Sequence, residues 1–176
     1  QQPAGPIVLK TVTSLPTASF SNEPFWWVNE QINQRSNGEL QIDFLGGPEA
    51  IPGADQAVAT KQGVVDYAFN FAGVYAGVVP GIEILSVSRK TPAQERAGGF
   101  FDFMAERHKE AGLVYLGRGG SVDGANSRYF YIWTKESVDR PTDLAGMKIT
   151  CFSTQSNAFL EALGAIPVIL PGGELF

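Results

Sequence analysis

The pattern of hydrophobic and polar positions along the chain changes repeatedly between a period of two and a period close to 3.6. Runs typical of strands are predicted at about 7–13, 40–45, 64–71, 113–116, 128–134, 147–152 and 166–170. Helical spacing between them predicts helices at about 22–37, 54–62, 92–110 and 154–163, with a short turn at 141–145. Strands that alternate with helices favour an α/β fold with a mainly parallel sheet covered on both faces.

The first predicted helix carries an apolar face and two adjacent tryptophans. Phe25, Val28 and Ile32 fall at helical spacing, so we expect them to face the sheet. Trp26 and Trp27 diverge by about 100° on a helix and cannot both face it. One of them is expected in the core, while the other lines a cleft or covers the surface. Trp26 is retained as a candidate ligand contact.

Composition excludes several classes of protein. Hydrophobic residues make up 44% of the 176 positions and charged residues 18%, a balance typical of a globular chain. The formal net charge of −5, with scattered Lys and Arg, argues against binding to nucleic acid. No apolar run reaches the roughly 20 residues that a membrane span needs. A single cysteine excludes an intramolecular disulfide, and the opening residues lack the features of a signal peptide, as in a mature protein.

The end of the chain suggests an unfinished domain. It stops in a loop, Gly172-Gly173-Glu174-Leu175-Phe176, that looks ready to begin another helix. A βα unit begun after residue 140 with only two strands is not expected to close a core of its own. The pattern is therefore typical of a truncated sequence.

Several motifs are similar to those of one protein family. The segment Asp143-Leu144-Ala145-Gly146-Met147-Lys148-Ile149 precedes a helix that ends Leu163-Gly164-Ala165-Ile166-Pro167-Val168. This pair resembles the signature of solute-binding proteins of tripartite ATP-independent periplasmic (TRAP) transporters, the DctP-like family. Gly63-Val64-Val65-Asp66-Tyr67-Ala68-Phe69 resembles a further motif of the family, with Lys10 on a first strand and Gly38 before a second.

The resemblance implies a periplasmic-binding-protein-like clamshell of α/β lobes. Lobe one would span residues 1–124 and be nearly complete, a hinge-crossing strand would occupy 125–138, and lobe two would only begin in 139–176. The implied function is extracytoplasmic capture of a small organic solute, often a carboxylate, for delivery to the TRAP membrane subunits. The implied location is the periplasm, and closing of the lobes around the solute would be a hinge motion.

One position departs from the pattern of the family. The resemblance implies an arginine after the Lys-Ile of the lobe-two strand, where it would bind the carboxylate of the solute. This chain has Thr150 there, which offers one hydroxyl instead of a planar fork of donors. Either Arg128, at the start of the crossing strand, binds a carboxylate alone, or the ligand is not an acid. An ion pair at the rim is an equally good interpretation of Arg128.

Further ligand candidates follow the predicted strands, at the edge where parallel sheets bind ligands. Asn70 and Tyr75 carry polar groups that a ligand could partner, whereas Phe71 could line a cleft or belong to the core. Arg118 ends a predicted strand, although a solvated loop charge explains it as well. The complete set of candidate ligand-binding residues is Ser14, Trp26, Asn70, Phe71, Tyr75, Arg118, Arg128, Thr150 and Phe152.

An α/β enzyme that uses Asp66, Glu49 or Asp123 is the alternative function, and it is the weaker one because nothing pairs two carboxylates or a nucleophile with a base. His108 and Cys151 are predicted in different lobes, as a polar helix residue and a buried strand thiol. We therefore expect no catalytic residues, no metal and no cofactor. An unfinished lobe could pair through a free sheet edge, so a dimer is possible.

Overall fold

The computed structural model describes residues 5–88, 90–119, 132–151 and 154–168. The chain divides into two compact units, Gln1–Ser127 and Arg128–Phe176. The predicted lobe bounds of 1–124 and 139–176 stay predictions, as does the crossing strand at 125–138. Residues 125–131 lie outside the described residues, and 132–134 have no regular secondary structure.

The first unit is built on a three-stranded parallel sheet in the order β2-β1-β3. Its strands are β1 (Ile7–Thr13), β2 (Leu40–Gly46) and β3 (Tyr67–Phe69), and its helices are α1 (Glu23–Arg35), α2 (Gly53–Lys61), α3 (Pro92–Ala97) and α4 (Phe100–Glu110). Short 3-10 helices occupy Phe20–Asn22, Ala72–Val74 and Ile82–Val87. The second unit contains a 3-10 helix, Pro141–Leu144, two parallel strands, β4 (Lys148–Thr150) and β5 (Ile166–Val168), and the helix α5 (Thr154–Ala162). The predicted α/β fold with parallel sheets is confirmed.

Helices pack on both faces of the first sheet. Phe44 lies beside Thr11 in the β1–β2 register, and its ring meets Phe25 of α1 edge-on at 5.7 Å. Val12 points to the opposite face, where it forms a buried cluster with Ala59 of α2. Alternation along a strand sends neighbouring side chains to opposite faces, so the period of two in β1 is what lets two helices cover one sheet.

A second cluster surrounds the end of α4. Val79, Ile82 and Met104 are fully buried there, and Tyr75 and Tyr115 pack against them. This cluster fixes the segment that follows β3 against α4.

The helix predicted at 92–110 is two helices. It breaks at Gly98-Gly99, where Gly99 has a φ of 77°, a left-handed conformation that glycine adopts without strain. The single apolar stripe predicted along it is therefore wrong at its start, since Ala97 is exposed. Val28 is also 42% exposed, and Asn29 is buried in α1 instead.

Two predicted strands are shorter or absent. Only Tyr67–Phe69 of the run 64–71 pairs with β1. Residues 113–116 form no strand, although Leu113 and Tyr115 pack inward while Val114 and Leu116 are 82% and 69% exposed. The alternation is real, but an extended segment can satisfy it by packing one side against α4, without a partner strand.

The second unit has a small core of its own. Leu144, Cys151, Leu160 and Ala165 are each at most 6% exposed. Two strands and one helix therefore bury a cluster that the sequence did not lead us to expect. Among the described residues of the whole chain, no helix is long and apolar enough to cross a membrane.

Candidate functional site

The carboxyl edge of the first sheet brings two predicted ligand residues onto one glycine. Ser14 follows β1 and donates its backbone N–H to the carbonyl of Phe69 at 3.0 Å. Asn70 follows β3, and its Nδ2 donates to the carbonyl of Gly53 at 2.7 Å. Gly53 begins α2 and lies so close to Ser14 that a Cβ on it would stand 3.1 Å from the Ser14 Cβ. Parallel sheets commonly bind ligands at this edge.

Both side chains present a buried oxygen that lacks a partner. Ser14 Oγ and Asn70 Oδ1 are inaccessible to solvent, and neither has a hydrogen-bond partner within the described part of the chain. A buried polar group without a partner is costly, so atoms of this kind often mark a place that a ligand or water fills. We name this edge, formed by Ser14, Gly53 and Asn70, the acceptor edge.

A buried polar network holds the acceptor edge in place. Thr13 Oγ1 donates to Asn22 Oδ1 at 2.8 Å, and Asn22 Nδ2 donates to the Pro16 carbonyl at 2.9 Å. Gln56 of α2 donates from Nε2 to the Thr13 carbonyl at 2.8 Å. Asn22 and Gln56 are fully buried. The sequence analysis missed both residues, because an amide on a short loop or on a small helix looks like an exposed one.

Arg118 is held by a buried carboxylate. Its Nε and Nη2 donate to the two carboxylate oxygens of Glu95 at 2.8 and 2.9 Å, and Nη2 also donates to the Lys90 carbonyl at 2.6 Å. The Glu95 side chain is only 4% exposed. Burial by itself raises the pKa of Glu95, but the hydrogen bonds from Arg118 and Ser88, with the charge of Arg118, outweigh it and hold that pKa below its ordinary value. Arg118 is therefore neither a solvated loop charge nor placed at the acceptor edge.

Tyr75 finds its partner inside the protein. Its hydroxyl lies 3.2 Å from His108 Nε2, and His108 Nδ1 lies 2.7 Å from the Met104 carbonyl. The carbonyl can only accept, so Nδ1 carries the proton and Nε2 accepts from Tyr75. Burial raises the pKa of Tyr75 and lowers the pKa of His108. The need for a partner that made Tyr75 a ligand candidate is met by a residue that looked unrelated in sequence.

The aromatic candidates separate in the same way. The Trp26 ring packs edge-on against Phe44 at 4.7 Å, so it contributes to the packing of α1 on the sheet. Trp27 is 59% exposed, which fits the expectation that only one of the pair enters the core. Phe71, next to Asn70, is 44% exposed and remains a candidate to line a site beside the acceptor edge.

Of the candidates in the second unit, only Thr150 is described. It ends β4 and pairs in register with Val168 of β5. Arg128 and Phe152 lie outside the described residues. Cys151 is a buried strand thiol, as predicted, and it donates to Asn157 Oδ1.

The carboxylates of the alternative enzyme have structural partners. Glu49 accepts the Gly47 N–H at 2.6 Å, which lowers its pKa, and Asp66 accepts the backbone N–H of Lys10 at 2.7 Å. Asp123 lies outside the described residues. In the ranges that the structure describes, no group of three His, Cys, Asp or Glu side chains could hold a metal.

Two surface grooves lie away from the acceptor edge. The first is lined by Val78, Pro80, Arg107, Glu110 and Ala111, at the end of α4. The second runs along the outer side of α1 and is lined by Trp27, Val28, Gln31, Ile32, Arg35, Ser36 and Leu40. Neither contains a residue predicted to bind the ligand.

Comparisons with known proteins place these features in a family. Residues 27–176 match DctP, the bacterial extracellular solute-binding proteins of family 7. The 2,3-diketo-L-gulonate-binding periplasmic protein YiaO of Escherichia coli K12 is 24% identical over 161 residues, which cover 84% of this chain and 45% of that protein. The chain thus spans about half the length of the curated relative it matches.

Solved structures agree on the fold. DctP7, an extracytoplasmic solute receptor of Bordetella pertussis binding pyroglutamic acid, matches with a TM-score of 0.72 at 17% identity, over 96% of this chain and 55% of that one. A TRAP periplasmic solute-binding protein of Pseudoalteromonas atlantica with bound sodium and pyruvate matches with a TM-score of 0.75 at 16% identity, over 97% and 52%. The predicted receptor fold, extracytoplasmic location and non-enzymatic class are confirmed, because the chain belongs to family 7 of the bacterial extracellular solute-binding proteins.

Proposed function

We propose that this protein captures a small organic acid outside the cytoplasm and delivers it to the membrane subunits of a TRAP transporter. The family supports a role in solute binding. The three relatives described above bind, by their names, 2,3-diketo-L-gulonate, pyroglutamic acid and pyruvate. Each of these molecules is a small acid, which supports the same class of solute here.

The observation that carries the proposal is the acceptor edge. Ser14 and Asn70 hold buried oxygen atoms that are unpartnered among the described residues, and both lie against Gly53. They lie at the carboxyl ends of parallel strands, which is where α/β folds bind small molecules. A bound solute would supply the missing hydrogen-bond partners.

The group that binds the acid is a separate part of the proposal. Thr150 offers a hydroxyl where the resemblance implies an arginine, and Arg118 is committed to Glu95. Arg128 is therefore the cation that we propose as the carboxylate partner. A neutral solute, held by hydrogen bonds and aromatic packing, is the alternative that Thr150 favours.

A thermal-shift screen tests the proposal. The purified protein would be melted with monocarboxylates, dicarboxylates, keto acids and hydroxy acids, and with the neutral amide of each acid as its matched control. At a concentration of 100 Kd a ligand stabilises the folded state by about 2.7 kcal/mol. For a chain of this size that raises Tm by roughly 5–10 °C.

The outcome separates the two alternatives. We expect at least one acid to raise Tm while its amide does not, and Arg128→Ala to abolish that shift. Stabilisation by amides or sugars alone would support the neutral solute. If no compound in the screen raises Tm, the proposed capture function is wrong.

A further inference from the structure

The orientation of Asn70 determines which kind of group the acceptor edge can bind. An amide can be turned over, but only its nitrogen can face the Gly53 carbonyl at 2.7 Å, since two oxygen atoms would repel each other at that distance. The oxygen Oδ1 must therefore point elsewhere. It is buried and has no partner among the residues described, and it can only accept a hydrogen bond.

Gln56 repeats this arrangement one turn into the helix that Gly53 begins. Its Nε2 donates to the carbonyls of Thr13 and Ile51 at 2.8 and 2.9 Å, which fixes the amide in the same way. The remaining Oε1 is buried, and within the described ranges it has no partner. Gln56 is fully buried, so solvent does not reach it from the surface.

The balance of donors and acceptors is therefore uneven. Two amide oxygens accept only, and the Ser14 hydroxyl supplies one hydrogen at most. A group that satisfies Asn70 Oδ1 must bring its own hydrogen. A carboxylate, a ketone or an ether oxygen cannot do this, whereas a hydroxyl can donate to Asn70 and accept from Ser14.

Charge distinguishes a hydroxyl from an ammonium group. The oxygen atoms at the acceptor edge are neutral, and burying a cation there without a carboxylate partner would be costly. The nearby Glu49 carboxylate already accepts the Gly47 N–H. A neutral hydroxyl therefore suits the edge better than an amine.

We infer that Ser14 and Asn70 select a solute with a hydroxyl group, so that the acid captured is a hydroxy acid and not its deoxy or amino analogue. This inference rests on the proposed function and makes its substrate class more specific. The acid group of the solute and its hydroxyl would be recognised by different parts of the protein.

Matched acids test the inference by isothermal calorimetry. The pairs are lactate with propionate and malate with succinate, and alanine provides the amino analogue of lactate. Leaving a buried acceptor without a donor costs enough to weaken binding by about 10- to 100-fold. We expect the hydroxy acid of at least one pair to bind more tightly than its deoxy analogue by that factor.

Variants assign the preference to the edge. Ser14→Ala and Asn70→Leu should each reduce the ratio of the two affinities several-fold, while the deoxy acid binds as well as before or better. Ser36→Ala is the matched control, because Ser36 Oγ bonds the Leu40 carbonyl at the opposite end of the sheet. Circular dichroism identifies a variant that fails to fold, and Ser14→Ala, the smaller change, then decides the question.

The results distinguish failure of the inference from failure of the function. If hydroxy and deoxy acids bind equally, or if the ratio survives in both variants, solvent satisfies these oxygens and the inference is wrong while acid capture stands. A preference for alanine would also overturn it. If none of the acids binds, the proposed function and the inference are both wrong.

Discussion

Removing Arg118 should destabilise the first unit and not only alter a surface charge. In Arg118→Ala, the Glu95 carboxylate loses both guanidinium hydrogen bonds and keeps the one from Ser88 Oγ at 2.5 Å. Its side chain is 4% exposed, so water does not replace what is lost. Removing one partner of a buried ion pair typically costs about 3–5 kcal/mol.

The protein can escape part of this cost by protonating Glu95. Taking up a proton on a carboxyl with an ordinary pKa near 4.3 costs about 1.4 kcal/mol for each pH unit above that value. The ceiling is therefore about 3.7 kcal/mol at pH 7 and about 1 kcal/mol at pH 5. Arg118→Ala should accordingly cost about 3 kcal/mol at pH 7, at the lower end of the range for buried pairs because 18% of the Arg118 side chain is exposed.

Urea unfolding followed by tryptophan fluorescence measures this difference at the two pH values. The matched control is Glu95→Gln with Arg118→Met, which removes both charges and should recover most of the stability. A loss below about 1 kcal/mol at pH 7 that does not change at pH 5 would contradict the buried ion pair. The ligand role predicted for Arg118 would then gain support.

Three further changes test other parts of the structure. Asn22→Ala should lower the free energy of unfolding by about 2–3 kcal/mol, because the Thr13 hydroxyl and the Pro16 carbonyl lose buried partners; Asn22→Asp, which keeps the acceptor for Thr13, should cost less, and equal costs would count against this network. Burial lowers the pKa of His108, so the unfolded state binds more protons and stability should fall as pH drops below about 6.5; His108→Gln should flatten that slope in urea titrations, and an unchanged slope would refute the assignment. Gly99→Ala should cost about 1–2 kcal/mol in thermal unfolding because φ is 77°, while Gly5→Ala should be neutral; no loss at Gly99 would mean that the break between α3 and α4 is not left-handed.

Local patterns were sufficient for the elements and for the family. The period of two predicted β1 and β2 almost to the residue, because each strand has one neighbour pattern of alternating faces that is written in consecutive positions. The Asp143–Ile149 and Leu163–Val168 motifs identified the family, which residues 27–176 confirm. The residues of the acceptor edge were also predictable, since Ser14 and Asn70 directly follow strands whose carboxyl ends share one side of a parallel sheet.

Partners distant in sequence were decided only by the tertiary structure. Arg118 bonds Glu95 across 23 positions, and Tyr75 bonds His108 across 33, so no local window contains both members of either pair. Each of the two, a ligand candidate by sequence, is satisfied inside the protein instead. The segment 113–116 shows the same limit, because alternation specifies an extended backbone but only a neighbouring strand makes it part of a sheet. The sequence by itself thus determined which segments are extended or helical, whereas the fold decided which polar groups remain for a ligand, since hydrogen-bond satisfaction depends on what packs nearby and not on what lies next in the chain.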